Sequence, residues 1–125
     1  MSTLSRITPG VNQDNTGRNF AYDFQTPASA AIINIATSQF DTIVMVQNLL
    51  VAPTINASVG SALVAPFVGD QLQIVLPSSV GVTAVLGTGF AASSYTSIIG
   101  VNKVNSVSFI FNGGLWVEVG RSAGA

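Results

Sequence analysis

The chain has 125 residues, of which four are basic and five acidic, and it contains no cysteine and no histidine. These absences exclude disulfide bonds, thiolate nucleophiles and every site that depends on imidazole. The length suits a single domain. Only 7% of the residues are charged, against about 25% in ordinary globular proteins. Because a surface so poor in charge favours association, we expect part of it to be buried against other subunits.

The chain begins with a polar, turn-rich segment over residues 1–19. Such a composition buries little apolar surface, so we predict an irregular N-terminal arm followed by a single β domain over residues 20–125. The arm is either a frayed terminus or a docking segment that becomes ordered against a neighbour. In the second case Arg6 and Arg18 are the candidate contact residues.

A calcium-loop spacing overlaps the arm and the start of the domain. Its positions 1, 3, 5, 6 and 12 fall on Asn12, Asp14, Thr16, Gly17 and Asp23. The flanking sequence is not helical, and the last position is Asp instead of the bidentate Glu. A polar turn therefore explains these residues better, and we predict no metal and no cofactor.

Short apolar runs with alternating or β-branched residues follow one another along the rest of the chain, separated by turn residues. This pattern predicts an all-β protein. The predicted strands are FAYDF (20–24), AAIINIA (30–36), FDTIVMVQN (40–48), QLQIVL (71–76), GVTAVLG (81–87), TSIIGV (96–101), SVSFIF (106–111) and LWVEV (115–119). The window over 49–68 stays open between strands and a short helical turn, because Pro53 and Pro66 exclude only a long helix.

The C-terminal segment SVSFIFNGGLWVEVGRS (106–122) predicts a hairpin. Its Asn-Gly-Gly sequence at 112–114 supplies the positive φ that a tight turn requires. Side chains alternate between the two faces of a strand. In this hairpin both faces of both strands carry apolar residues. We therefore predict that Phe109, Phe111 and Trp116 lie in the core or at a subunit interface.

Membranes and nucleic acids are not predicted partners. The uncharged stretches 42–69 and 71–102 are interrupted by prolines and polar residues, whereas a spanning helix needs about 20 mainly apolar residues. The basic residues are scattered along the chain and form no patch with interleaved aromatic residues.

One catalytic possibility remains, a pair of carboxylates brought together by the fold as in a glycosidase. The acidic residues are far apart in sequence: Asp14, Asp23, Asp41, Asp70 and Glu118. No motif supports such a pair, so we predict that the protein is not an enzyme.

Two further features have both a binding and a structural interpretation. The sequence GTGF (87–90) lacks the lysine and the following helix of a phosphate loop, so its glycines are expected to serve turns and tight packing. Four aromatic residues are candidates for a sugar site, although core or interface positions are favoured for them: Phe67, Phe90, Tyr95 and Trp116.

Four segments stand in a characteristic order: PTINASVG (53–60), GDQLQIVL (69–76), GVTAVLGTGF (81–90) and the closing hairpin. In this order they resemble a β-rich module of bacteriophage structural proteins, found in head decoration proteins and in tail-fibre or receptor-binding tips. The resemblance covers residues 30–122. It departs from the common pattern at PSSVG (77–81), where many such modules carry a Gln-Asp-Gly type turn.

The resemblance implies a β-sandwich or jelly-roll-like subunit, a homotrimer and a place in the virion. We expect a capsid decoration (cement) protein that binds the major capsid protein at the head surface, since the polar lead of residues 1–19 is short for the shaft or anchoring domain of a fibre. The alternative is a tail-fibre tip that contacts host glycan through loops such as AASSY (91–95).

Overall fold

A computed structural model describes residues 22–37, 41–59, 65–91 and 96–123. Within these ranges the chain is all-β, and no helix there is long and apolar enough to cross a membrane. The strands are β1 (Tyr22–Gln25), β2 (Ile32–Ile35), β3 (Asp41–Met45), β4 (Thr54–Ala57), β5 (Gln71–Ser78), β6 (Val82–Leu86), β7 (Thr96–Ile99), β8 (Lys103–Phe111) and β9 (Trp116–Ser122).

The strands form two mixed sheets, a five-stranded sheet with the order β1-β3-β5-β8-β9 and a four-stranded sheet with the order β2-β4-β6-β7. From β1 to β6 the chain alternates between the two sheets, and each strand lies parallel to the strand two places earlier. The last three strands add antiparallel pairs, β7 on β6, β8 on β5 and β9 on β8. The first six strands therefore form three consecutive coils of one winding, and each coil contributes one strand to each sheet.

The predicted all-β class is confirmed, and every predicted run overlaps a strand. The window that the sequence left open contains β4. The jelly-roll-like arrangement is not confirmed, because jelly rolls consist of antiparallel Greek keys, whereas the pairings among β1 to β6 are parallel. Side-chain alternation indicates which face of a strand is buried, but it carries no information about the direction of its neighbour.

The inner faces of both sheets contribute to a single hydrophobic core. Alternate residues point inward, as period-two patterning requires. Ile35 and Ile55 enter the core from the four-stranded sheet, and Val44, Ile74 and Val107 enter it from the five-stranded sheet.

Backbone hydrogen bonds continue between coils at the corner that follows β1, β3 and β5. The Gln47 N–H donates to the Pro27 carbonyl, and the Leu49 N–H donates to the Pro77 carbonyl, both at 2.9 Å. The buried Ser78 hydroxyl donates to the Leu49 carbonyl at 2.7 Å and accepts from the Gly81 N–H at 3.0 Å. The PSSVG segment is thus a corner held by the serine side chain.

Candidate functional site

The C-terminal hairpin has the predicted turn. Gly113 has φ of 104°. The Asn112 Oδ1 accepts hydrogen bonds from the N–H groups of Gly114 and Leu115, each at 2.9 Å. Both interactions lie at the tip, so the side chain of one asparagine closes the turn that joins β8 to β9.

The hairpin aromatics lie in the core. Phe109, Phe111 and Trp116 are almost completely buried, and the rings of Phe111 and Trp116 are 5.2 Å apart between centroids. The Trp116 Nε1–H finds no hydrogen-bond partner among the described residues. Buried indole N–H groups usually have one, so this donor lowers the free energy gained by burying the ring.

Two of the four aromatic candidates for a sugar site are buried in the core. Phe90 is buried, with its ring centroid 4.8 Å from that of Phe109, and Trp116 is buried beside it in the core. Phe67 is exposed, and Tyr95 lies outside the described residues. The three described rings therefore do not combine into a sugar site.

The GTGF segment packs tightly, as the sequence predicts for its glycines. Gly89 has φ of +92°, and a Cβ there would lie 1.9 Å from the Ala57 carbonyl oxygen. The Gly89 carbonyl accepts from the Trp116 N–H, and the Trp116 carbonyl accepts from the Ala91 N–H, both at 2.9 Å. This turn therefore connects the four-stranded sheet to the first residue of β9.

Two of the described carboxylates are electrostatic neighbours. Burial raises the pKa of Asp70, a hydrogen bond from the Phe67 N–H opposes that rise, and the charge of Asp41 adds to it. Each carboxylate is also tied to the backbone. Asp70 Oδ2 accepts from the Phe67 N–H at 2.8 Å, and Asp41 Oδ1 accepts from the Gln71 N–H at 3.0 Å. These bonds give both groups a structural role.

The remaining described carboxylates pair with side chains on their own strands. Asp23 Oδ2 accepts from Gln25 Nε2 at 2.8 Å, and Glu118 forms an ion pair of 2.8 Å with Arg121. The part of the chain that the structure describes contains no group of three acidic side chains that could hold a metal ion. Apart from Asp23, the calcium-loop residues lie outside that part.

Charge is distributed very unequally between the two sheets. Every charged residue that the structure describes belongs to a strand of the five-stranded sheet or stands next to one: Asp23, Asp41, Asp70, Lys103, Glu118 and Arg121. The strands of the four-stranded sheet have the sequences IINI, TINA, VTAVL and TSII and carry no charge.

We call the outer side of the four-stranded sheet the uncharged face. It comprises Ile32, Asn34, Thr54, Asn56, Thr83, Val85 and Ile98. Ile32 is 62% exposed and Ile98 is 74% exposed. Asn56 Nδ2 donates to Asn34 Oδ1 at 3.3 Å, and Asn56 Oδ1 accepts from the Thr88 N–H at 2.9 Å.

An apolar rim borders one end of the uncharged face. Leu50 and Val51 precede β4, Val80 precedes β6 and Val101 follows β7, and all four are exposed. Because β7 is antiparallel to β6, these positions lie at the same end of the sheet. The sequence contains a signal for this surface, since these four strands carry no charged residue, but only the pairing shows that the strands are neighbours.

The predicted arm residues Arg6 and Arg18 lie outside the described residues, as does most of the loop AASSY. Comparison with models of known protein families gives no match, and comparison with curated protein sequences gives none either.

Proposed function

We propose that this protein is a non-enzymatic structural component of a bacteriophage virion, a capsid decoration (cement) protein that binds the major capsid protein as a homotrimer. The observation that carries the proposal is the uncharged face. The resemblance of the segments over residues 30–122 supplies the kind of particle. The face supplies a physical reason for the protein to associate.

Exposed apolar side chains on a flat, uncharged sheet favour burial against another surface. Removing the side chains of Ile32 and Ile98 from water contributes about 25 cal/mol per Å² of apolar area. Desolvation of charged groups is a large cost of burying a protein surface. No described charge has to be desolvated on this face. The rim of Leu50, Val51 and Val80 extends the same surface. Together these features favour burial of the face in a stable interface over its exposure to water.

The proposed mechanism is the addition of buried area across neighbouring shell subunits. A standard protein interface buries about 1,600 Å², and a trimer that contacts several capsid subunits joins such contacts into one multivalent attachment. We assign the uncharged face to the contact between copies and the N-terminal arm, with Arg6 and Arg18, to the shell. Strain in a filled head would then be shared by the decorating layer.

The first test is co-sedimentation of the purified protein with capsids that lack it, combined with its mass by light scattering. We expect stoichiometric binding by a species of about three chains, the smallest cyclic assembly above a dimer. A trimer that ignores capsids and sediments with host cells would place the protein at the tail. A monomer would contradict the assignment of the uncharged face.

A second test separates the arm from the domain. Deletion of residues 1–19 should leave the mass unchanged and abolish binding to capsids. An Arg6→Ala/Arg18→Ala double variant keeps the arm and removes its cations, and it should weaken binding in a salt-dependent way. Full decoration by the truncated protein would show that the arm does not hold the shell.

A further inference from the structure

Strand β1, at one edge of the five-stranded sheet, has its aromatic residues on the outside. Tyr22 is 59% exposed and Phe24 is 53% exposed, while Asp23 and Gln25 face the inner side of the sheet. The inner polar pair is satisfied, since Gln25 Nε2 donates to Asp23 Oδ2 at 2.8 Å and to the Ala36 carbonyl at 2.7 Å. Large aromatic residues are usually buried to a high degree. This inversion leaves two rings available to a partner on the outer face.

A groove with a volume of about 290 Å³ lies on that outer face, beside Tyr22. Ile43 and Ile110 form part of its apolar wall. The polar residues that line it include Asp41, Gln71, Gln73 and Ser108. Ligand sites commonly combine an apolar wall with a few polar groups that fix orientation, and they begin at about 300 Å³. The groove has the composition of such a site and a size suited to one end of an extended ligand.

The strand register holds the polar groups and the ring in adjacent positions. Tyr22 lies opposite Asp41, and Gln73 lies opposite Ser108. The Asp41 carboxylate is oriented by the Gln71 N–H, which donates to its Oδ1 at 3.0 Å. A carboxylate accepts several hydrogen bonds, so Asp41 retains acceptor capacity for a ligand. The donor that orients Asp41 belongs to the backbone of a central strand, and it does not depend on a mobile side chain.

The electrostatics of the groove select against anions. No lysine or arginine is among the residues that line it. Asp41 and Asp70 are close enough for the charge of Asp41 to contribute to the raised pKa of Asp70. Two neighbouring carboxylates produce a negative potential, which disfavours sialylated, sulfated or phosphorylated ligands.

We propose that this groove binds the end of a neutral glycan. A sugar ring has an apolar C–H face and a rim of hydroxyl groups. The C–H face stacks on Tyr22, whose ring carries negative charge density on its face. The hydroxyls donate to the carboxylate of Asp41 in charge-assisted hydrogen bonds, and the amides of Gln71 and Gln73 donate and accept. The site lies on the sheet opposite the uncharged face, so the inference does not rest on the proposed assembly.

The experiment uses the full-length protein on a glycan array that contains neutral oligosaccharides and their sialylated and sulfated counterparts. The strongest neutral ligand is then titrated by saturation-transfer NMR. Tyr22→Ala should weaken the binding of this ligand about tenfold or more. Phe24→Ala is the matched control, because Phe24 is an equally exposed aromatic residue of β1 that does not line the groove. The affinity of the Phe24→Ala variant for this ligand should stay within about twofold of that of the native protein.

Asp41→Asn tests the carboxylate while keeping an oxygen for the Gln71 N–H. We expect neutral glycans to bind about tenfold more weakly, and discrimination against anionic glycans to fall. The proposal is overturned if the array retains no neutral glycan, if anionic glycans bind better, or if Tyr22→Ala and Phe24→Ala have equal effects. It is also overturned if Tyr22→Ala lowers the oligomeric mass, because the groove would then be a contact between copies. None of these results depends on whether capsids bind.

Discussion

At the scale of single residues, Gly89 occupies the most constrained position of the GTGF turn. Its φ of +92° is unfavourable for a residue with a side chain, and a Cβ would overlap the Ala57 carbonyl. Gly69 has a similar φ of +95°, but a Cβ there would meet nothing within 4 Å. The two glycines therefore separate the cost of the backbone conformation from the cost of the steric overlap.

Gly89→Ala should lower the free energy of unfolding by more than about 3 kcal/mol, since backbone strain and displacement of a strand are combined. Gly69→Ala should lower it by about 1–2 kcal/mol, the cost of the left-handed conformation alone. Urea denaturation of both variants gives the comparison. Equal losses would mean that the turn has room at Gly89.

Trp116 combines complete burial with an indole N–H that lacks a partner among the described residues. Trp116→Ala should cost about 3–5 kcal/mol of stability, because it leaves a large cavity beside Phe111. Trp116→Phe keeps a ring in the site and removes the unpaired donor, whose burial costs about 1–3 kcal/mol, so its loss should be clearly smaller. Thermal and urea unfolding measure both. A loss below about 1 kcal/mol for Trp116→Ala would place the ring at the surface.

Asp70 introduces a dependence of stability on pH. Its pKa in the folded state is raised from 3.8, chiefly by burial. A carboxyl with a raised folded pKa contributes stability that is fully present below the unfolded pKa and is lost as pH rises through the folded pKa. Asp70→Asn, which keeps an oxygen for the Phe67 N–H, should therefore gain stability relative to the native protein between pH 3 and pH 7. Denaturation curves across that range test the sign, and a relative loss toward pH 7 would contradict it.

At the scale of elements, the hairpin of β8 and β9 depends on a side chain at its tip. Asn112→Ala removes the acceptor of the Gly114 and Leu115 N–H groups and should cost about 1–2 kcal/mol, the sum of two modest hydrogen bonds. Asn112→Asp keeps the acceptor and should cost less. Urea denaturation compares the two, and hydrogen exchange of the Leu115 amide should accelerate only in the alanine variant. Identical exchange in both variants would show that Gly113 alone sets the turn.

The element that the sequence left open, β4, illustrates why some strands escape sequence analysis. Its four residues, Thr54–Ala57, are too few to display a period against the helical alternative, and Pro53 precedes them. What makes them a strand is the pairing with β2 on one side and β6 on the other. Those hydrogen bonds join residues that are distant along the chain, so local preference does not encode them.

At the scale of the whole molecule, the separation of charge between the two sheets gives each outer face a different expected behaviour. Ile98→Glu places a charge on the uncharged face and should reduce the proposed oligomer to single chains, because the core of the proposed interface would tolerate an unpaired charge poorly. Met45→Glu introduces the same charge at an exposed residue of β3, on the outer face of the other sheet, and should leave the mass unchanged. Light scattering distinguishes them. Loss of assembly in Met45→Glu alone would exchange the roles of the two faces.

The sequence by itself determined the all-β class, nearly every strand and the turn of the C-terminal hairpin. These properties follow from the alternation of side chains, from turn residues such as Gly113 and from the composition of each run, all of which are local. The low content of charge predicts association as well, and this stays a prediction.

Only the tertiary structure decided which strands are neighbours, and with them both candidate surfaces. The parallel coils of β1 to β6 bring uncharged strands into one sheet and leave the described acidic and basic residues with the other. The same pairing places Tyr22 beside Asp41 on an outer face, although an alternating FAYDF run predicts aromatic residues inside equally well. The physical reason is that strand pairing is made by hydrogen bonds between distant parts of the chain, whose direction and order do not follow from any single segment.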